Sequence, residues 1–410
     1  MRAKTYSAWE YSIIGCSINN ENHNNYISVE EKCFDELCTY AKSEEGSNIF
    51  RFVKRGNYLQ VQNYVGTIQT KSNYRIDILP KIYPYYDKKY AKKVLVDLLK
   101  LLYKIPNYKT TKANLEATNI PLLEIIIEIF TVEIHKLIRR GILSDYISIE
   151  EISVHLRGKL KISNQIKRDM QFKGHFNIVH DDYNQNRVEN KILKSTLKYL
   201  LGVSQSHKVK KSLNIALEHF TMVNYSTNIK MDLKLCQVQK RGMKHYMSAL
   251  SLAKIFLEHK SLSSFSGSTS SISLLYPMEK LFENYVGWYL LHTENNILSI
   301  EGNNEQHNFI KHEKTNKSLL KIRPDFIVKK EDRVIIADAK WKIIKSNNGE
   351  NKGFSEKDLY QLFAYGGFFA QKYENIELRL YYPKTNENQI EEIYTYIDGK
   401  QLRVIFLEMG

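Results

Sequence analysis

The chain has 410 residues, 43% hydrophobic and 26% charged, a composition that suits a soluble globular protein with room for two or three domains. Its four cysteines form no CxxC pair and no cluster with histidine, which argues against a structural zinc site and suits a reducing compartment. The formal net charge of +15 favours a polyanionic partner, because lysines and arginines that neutralise phosphates release counterions.

No run approaches the roughly 18 uninterrupted apolar residues of a membrane span. The most apolar stretch, IPLLEIIIEIFTVEIHKLI, is interrupted by Glu124, Glu128 and Glu133, as in an amphipathic helix. The opening MRAKTYSAWEYSII lacks the apolar core of a signal peptide, so a cytoplasmic protein with no membrane partner is expected.

In chain order, NIFRFVKRGNYLQVQNYVGTIQTKSNYRIDILPKIYP alternates apolar and polar residues between Gly56, Gly66 and Ser72-Asn73, which predicts a small antiparallel sheet or barrel. Helical periodicity follows in YAKKVLVDLLKLLYKI and, after Pro121, in LLEIIIEIFTVEIHKLIRRG. YISIEEISVHLRGKLKISNQI reads as extended. NRVENKILKSTLKYLLGV reads as a helix, followed by a helical pair over residues 208–221 and 246–259. Basic residues crowd this middle part: Arg157, Lys159, Lys161, Lys167, Arg168 and Lys173 stand against Asp169, and Lys191, Lys194, Lys198, Lys208, Lys210 and Lys211 follow.

The serine-rich HKSLSSFSGSTSSIS, residues 259–273, reads as a linker. Beyond it the pattern becomes α/β. A helix over PMEKLFENYVGWYLLHT precedes strands around 297–300, 320–328 and 333–339. A helix from Glu356 to Tyr373 then leads to the strands IELRLYYP and LRVIFLE.

The stretch RPDFIVKKEDRVIIADAKWK, residues 323–342, predicts two buried strands with Asp325 and Asp338 at their edges. Paired carboxylates repel and raise each other's proton affinity unless a cation lies between them, and hard oxygen donors suit Mg²⁺. Lys340 stands two residues after Asp338, so strand alternation returns it to the same face, where it can neutralise charge on a scissile phosphate. D-x-K alone is a common product of surface alternation. The context adds weight: Glu279 and Glu283 lie one helical turn apart upstream, with Glu283 the better metal-facing candidate and Glu279 reading as solvated. Downstream, Gln361 and Tyr365 lie one turn apart and can line the same cleft.

The ordered set of helix glutamate, P-D, D-x-K and Q-x-x-x-Y resembles the PD-(D/E)xK nuclease superfamily, and the Q-x-x-x-Y helix resembles its RecB-type branch. The resemblance extends to the McrC family, nuclease subunits of McrBC-type restriction systems, through YVGTIQTKSNYRIDILPKI, LRGKLKISNQI, NRVENKILKSTLKYL, MEKLFENYV, DLYQLFAYG and LRLYYP in collinear order. It implies Asp325 and Asp338 as metal-binding acids, Lys340 as catalytic lysine, and supporting roles for Glu283 (also as a metal ligand), Gln361 and Tyr365. Trp341 stands where tyrosine is common in such proteins, which reads as a packing swap.

The fold it implies is multidomain α+β and α/β. An N-terminal β-rich and helical domain (1–150) docks on the partner, a middle basic, largely helical region (151–270) follows, and a restriction-endonuclease-like PD-(D/E)xK α/β core occupies 271–410. The implied activity is Mg²⁺-dependent cleavage of double-stranded DNA, directed at modified cytosine or a fixed sequence and coupled to an McrB-like AAA+ GTPase oligomer. That partner binds the GTP, since this chain has no G-x-x-x-x-G-K-[ST] loop. The tyrosine-rich PKIYPYYDKKY suits a protein contact or a plain β-to-α turn. Two other readings are a non-enzymatic activator of the AAA+ motor and a stand-alone RecB-like exonuclease.

Overall fold

The computed structural model describes residues 4–16, 25–53, 56–82, 87–103, 120–169, 174–236, 242–262, 272–302, 307–315, 317–344, 353–385 and 389–409. They form mixed α and β structure in two compact units, one of residues 121–274 and the other of residues 4–120 with 275–410. The division differs from the expected 1–150, 151–270 and 271–410. The helix after Pro121 packs with the middle residues, and the N-terminal segment clusters with the C-terminal one.

In the N-terminal segment the elements are β1 (Thr5–Trp9), β2 (Ile13–Gly15), β3 (Tyr26–Ser28), α1 (Glu31–Ala41), β4 (Phe50–Val53), β5 (Tyr58–Val61), β6 (Tyr64–Gln69), β7 (Arg75–Leu79) and α2 (Lys88–Leu102). Asp87 caps α2 by accepting the Lys89 and Tyr90 backbone N–H groups. The expected antiparallel pairs appear as β4 with β5 and β6 with β7. Two parallel pairs, β1 with β7 and β2 with β3, recruit strands from before the alternating stretch. The sheet orders are β3-β2-β5-β4 and β1-β7-β6, the latter completed by the strand Ile272–Pro277. Part of the tyrosine-rich segment, residues 83–86, lies outside the described residues; Tyr90 donates its hydroxyl to the Met409 carbonyl.

YVGTIQT and YRIDIL owe their polar residues to this fold. Asp77 is fully buried, accepts the Thr67 hydroxyl at 2.9 Å and pairs with Lys92 of α2 at 3.3 Å. Lys92 also donates to the Ile120 carbonyl at 3.1 Å. Such a buried pair is held by mutual compensation, not by solvent.

The middle unit contains α3 (Leu122–Arg140), β8 (Asp145–Ser153), β9 (Lys159–Leu160), α4 (Ile162–Asp169), β10 (Phe176–Asn184), α5 (Val188–Val203), α6 (His207–Glu218), α7 (Ile229–Leu235) and α8 (Met247–Leu262). The stripe of α3 packs against α6 and α8, and α5 joins them, with Phe130 edge-on to Phe256 at 5.9 Å. The stretch expected to be wholly extended turns helical at Ile162, and β10 and α7 had no counterpart in the sequence pattern. Gly158 of LRGKL has φ +72, and a Cβ there would stand 2.2 Å from the Val179 carbonyl oxygen, so only glycine fits. Within NRVEN, Asn190 is fully buried, donates to the Leu143 and Gln185 carbonyls and accepts the Tyr246 hydroxyl.

The basic run is partly structural. Lys194 is buried and donates to the Thr221 and Val223 carbonyls, while Arg157, Lys161 and Lys208 pair with Glu151, Glu150 and Glu128. Lys173, and residues 263–271 of the expected linker, lie outside the described residues.

The chain returns through β11 (Ile272–Pro277) and α9 (Met278–Thr293) to β12 (Ile297–Gly302), β13 (His307–Lys311), β14 (Ser318–Ile322), β15 (Phe326–Lys330), β16 (Val334–Ala339), α10 (Glu356–Phe369), β17 (Ile376–Pro383), β18 (Glu392–Thr395) and β19 (Gln401–Leu407). A six-stranded mixed sheet runs β12-β15-β16-β17-β19-β18, with β15–β16 antiparallel and β16–β17–β19 parallel. The segment expected to be one strand over 320–328 is two, because Arg323-Pro324-Asp325 ends the β13–β14 hairpin before β15 begins. Ile327, Ile336, Leu378, Leu380, Leu362 and Phe369 form the core between the sheet and α10. Gly366 lets α10 approach closely, since a Cβ there would lie 2.9 Å from Leu378 Cδ1.

Replacing Lys92 with methionine removes the ammonium that pairs with buried Asp77 at 3.3 Å. It is expected to lower unfolding free energy by about 3–5 kcal/mol, and the double change with Asp77→Asn is expected to recover much of that loss. Denaturant unfolding of the two variants checks this.

Candidate active site

The register of the β15–β16 hairpin ends at Phe326 opposite Ala337, so one further step brings Asp325 opposite Asp338 at its open end. Asp338 sits in a strand with neighbours on both sides and is almost wholly buried. Asp325 is half-buried just before β15, and its Oδ2 accepts the Ala339 backbone N–H at 2.8 Å. Burial, and then the Asp338 charge, push the Asp325 carboxyl up to about 8; the Ala339 N–H opposes the shift and Glu283 adds to it.

Lys340 points to the same side as Asp338 and forms an ion pair with its Oδ2. That oxygen is buried and accepts no hydrogen bond of good geometry. Burial alone would lower the Lys340 pKa, but Asp338 more than offsets this and holds the ammonium above its ordinary range. From α10, Gln361 Oε1 accepts Lys340 Nζ at 3.3 Å, Gln361 Nε2 donates to the Tyr365 hydroxyl, and Tyr365 donates to the Arg323 carbonyl at 3.1 Å. Arg323 belongs to the loop that carries Asp325, so this chain of bonds closes around the hairpin mouth.

Five of the six candidates are therefore tied together: Asp325, Asp338, Lys340, Gln361 and Tyr365. Glu283, half-buried on α9, acts on Asp325 through its charge, but among the described residues no three acidic, histidine or cysteine side chains converge as a metal-holding group. Glu279 is exposed, as the sequence reading had it. The Asp325–Asp338 pair suits a magnesium ion on two grounds. Mg²⁺ commonly takes one or two carboxylates and keeps several waters, and these two carboxylates stand opposite each other at the open end of the hairpin.

Strand alternation continues past the site. Lys342 donates to both oxygens of Asp358 at 2.8 and 2.7 Å, and Tyr382 donates to the same carboxylate at 3.2 Å. Asp358 is buried in the first turn of α10, three residues before Gln361 and on the same helical face. That spacing was readable in the sequence and was missed. Trp341 turns the other way, 5.5 Å from Phe282, and donates its indole N–H to Glu10.

Residues 59–383 match the family model described as McrBC 5-methylcytosine restriction system component. No curated protein matches the chain. Among solved structures, the chain aligns with one in the half-complex from the tetradecameric assembly of Thermococcus gammatolerans McrB AAA+ hexamers with bound McrC. The TM-score is 0.68 at 17% identity, covering 99% of this chain and 94% of that one. A chain of the cryo-EM structure of the Thermococcus gammatolerans McrBC complex aligns with TM-score 0.52 at 18% identity, covering 70% of this chain and 88% of that one. At these identities the likeness is one of fold.

The raised Asp325 pKa has a fixed sign for stability. Its contribution is complete below the ordinary carboxylate range and is lost as pH rises through about 8. In EDTA, wild type is expected to lose roughly 1–3 kcal/mol more stability than Asp325→Asn between pH 5 and pH 9. Parallel denaturation curves for the two proteins at both pH values would contradict this.

Proposed function

The chain belongs to the McrBC 5-methylcytosine restriction system component family, and from that premise we propose that it is the DNA-cutting subunit of its restriction system. The observation that carries the proposal is the placement of Asp325 opposite Asp338 at the hairpin mouth with Lys340 on the same side. This arrangement supports reading the six-stranded sheet and its flanking helices as a PD-(D/E)xK core that hydrolyses phosphodiester bonds of double-stranded DNA. Asp325 and Asp338 would hold Mg²⁺, which when bound would supply Lewis-acid stabilisation of charge on the scissile phosphate.

The protein's own groups do the positioning. Asp338 orients the Lys340 ammonium, and Gln361 steadies it from α10. In this reading the ammonium faces the phosphate where negative charge grows on attack, and its partial burial beside Asp338 strengthens its electrostatic effect. Tyr365 locks Gln361 to the loop carrying Asp325, which fixes the distance between the acids and the lysine.

The partner in this reading is an McrB-like AAA+ GTPase oligomer that binds the GTP, and whose hydrolysis this chain stimulates. Support comes from the fold likeness to chains from assemblies of McrB with McrC. The complete Asp325–Asp338–Lys340 constellation weighs against a purely non-enzymatic activator. The match over residues 59–383 weighs against a stand-alone RecB-like exonuclease, which leaves most of the N-terminal half unexplained. Modified cytosine is the target that the family description favours, with the choice of site made by the partner.

In the assembled complex with nucleotide and Mg²⁺, Asp338→Ala and Lys340→Ala are each expected to lower plasmid cleavage by at least about 10²–10³-fold. Assembly with the partner is expected to persist. Cleavage at the wild-type rate by either variant would overturn the proposal.

A further inference from the structure

Glu10 is a buried carboxylate without a part in the chemistry described above. It follows β1, and its neighbour Tyr11 has φ +61, a left-handed backbone that is strained for a bulky residue. Ser12 closes this turn. Its N–H donates to the Trp9 carbonyl at 3.1 Å, and its hydroxyl accepts the Trp9 N–H at 3.0 Å. The turn directs Glu10 inward, where it is 1% exposed.

There the carboxylate joins two distant parts of the chain. The Trp341 indole N–H lies 3.1 and 2.9 Å from its two oxygens, and Oε1 also accepts the Lys81 backbone N–H at 2.7 Å. Trp341 directly follows Lys340, and its ring rests on Phe282, the residue before Glu283. Lys81 lies two residues beyond the end of β7. Burial pushes the Glu10 carboxyl up to about 7 against the pull of the Lys81 and Trp341 donors, and because Oε1 accepts from both of them, the single oxygen of glutamine can serve each donor.

We propose that Glu10 is a positioning residue for DNA cleavage: by holding Trp341 it fixes the backbone that presents Lys340, and by holding Lys81 it ties that backbone to the segment leaving β7. The inference rests on the nuclease reading above. A plain packing contact would affect stability alone, whereas a positioning contact affects turnover in folded protein and is restored by an isosteric acceptor.

The test is plasmid cleavage by the assembled complex with Glu10→Ala, Glu10→Gln, Trp341→Phe and the double variant Glu10→Ala/Trp341→Phe, with Asp338→Ala alongside. Glu10→Ala and Trp341→Phe are each expected to lower turnover about tenfold or more, with the half-saturating DNA concentration unchanged. Glu10→Gln is expected to stay within about threefold of wild type, and the double variant to be no worse than the poorer single one, because both remove one contact. Full turnover by folded Glu10→Ala or Trp341→Phe would overturn the inference, as would a double-variant loss equal to the product of the single losses. If Glu10→Ala does not fold, Trp341→Phe decides, since it keeps an aromatic ring beside Phe282 while removing the N–H together with part of the indole. Cleavage that survives in Asp338→Ala would instead overturn the nuclease reading.

Discussion

Two carboxylates are held opposite each other at the end of a hairpin whose register leaves them no escape. Asp338 lies in a strand paired on both sides, and Asp325 is fastened by the Ala339 N–H, so neither can swing away from the other. The repulsion is expressed as proton affinity, with Asp325 pushed up to about 8 by burial and by its neighbour. A lysine on one side relieves part of the strain. The close approach of α10, permitted by Gly366, brings Gln361 and Tyr365 in to fix that lysine and the Asp325 loop.

The site was legible because its geometry is local. Alternation alone sends Asp338, Lys340 and Lys342 to the α10 side and Trp341 to the other, and one helical turn separates Gln361 from Tyr365. Glu10 was not legible, since its partner lies 331 residues away and nothing near it in sequence marks it as buried. The fold shows the same split. The long helices and the strands of the C-terminal sheet follow from periodicity, whereas β2 and β3 are too short to show a period and pair in parallel. The return of β11 to the N-terminal sheet is likewise a tertiary decision.

Charge was the least dependable guide. Several lysines and arginines counted towards a polyanion surface are paired with glutamates, and Lys194 is buried against carbonyls. The segments that carry the family likeness outside the hairpin have architectural reasons for their polar residues: Asp77 balances Lys92, Asn190 joins three backbone or side-chain partners, and Gly158 occupies a place without room for a Cβ. They report the fold, while the residues proposed for the chemistry lie mostly between Asp325 and Tyr365.

The claim that the Asp325–Asp338 pair is built for a divalent cation is tested most directly by calorimetric titration of the chain with Mg²⁺ at pH 7 in two buffers of different ionisation enthalpy. Because burial and the Asp338 charge raise the Asp325 carboxyl, binding should release protons, and Asp338→Asn should abolish binding. Heats that do not depend on the buffer, or binding that survives in Asp338→Asn, would contradict the account.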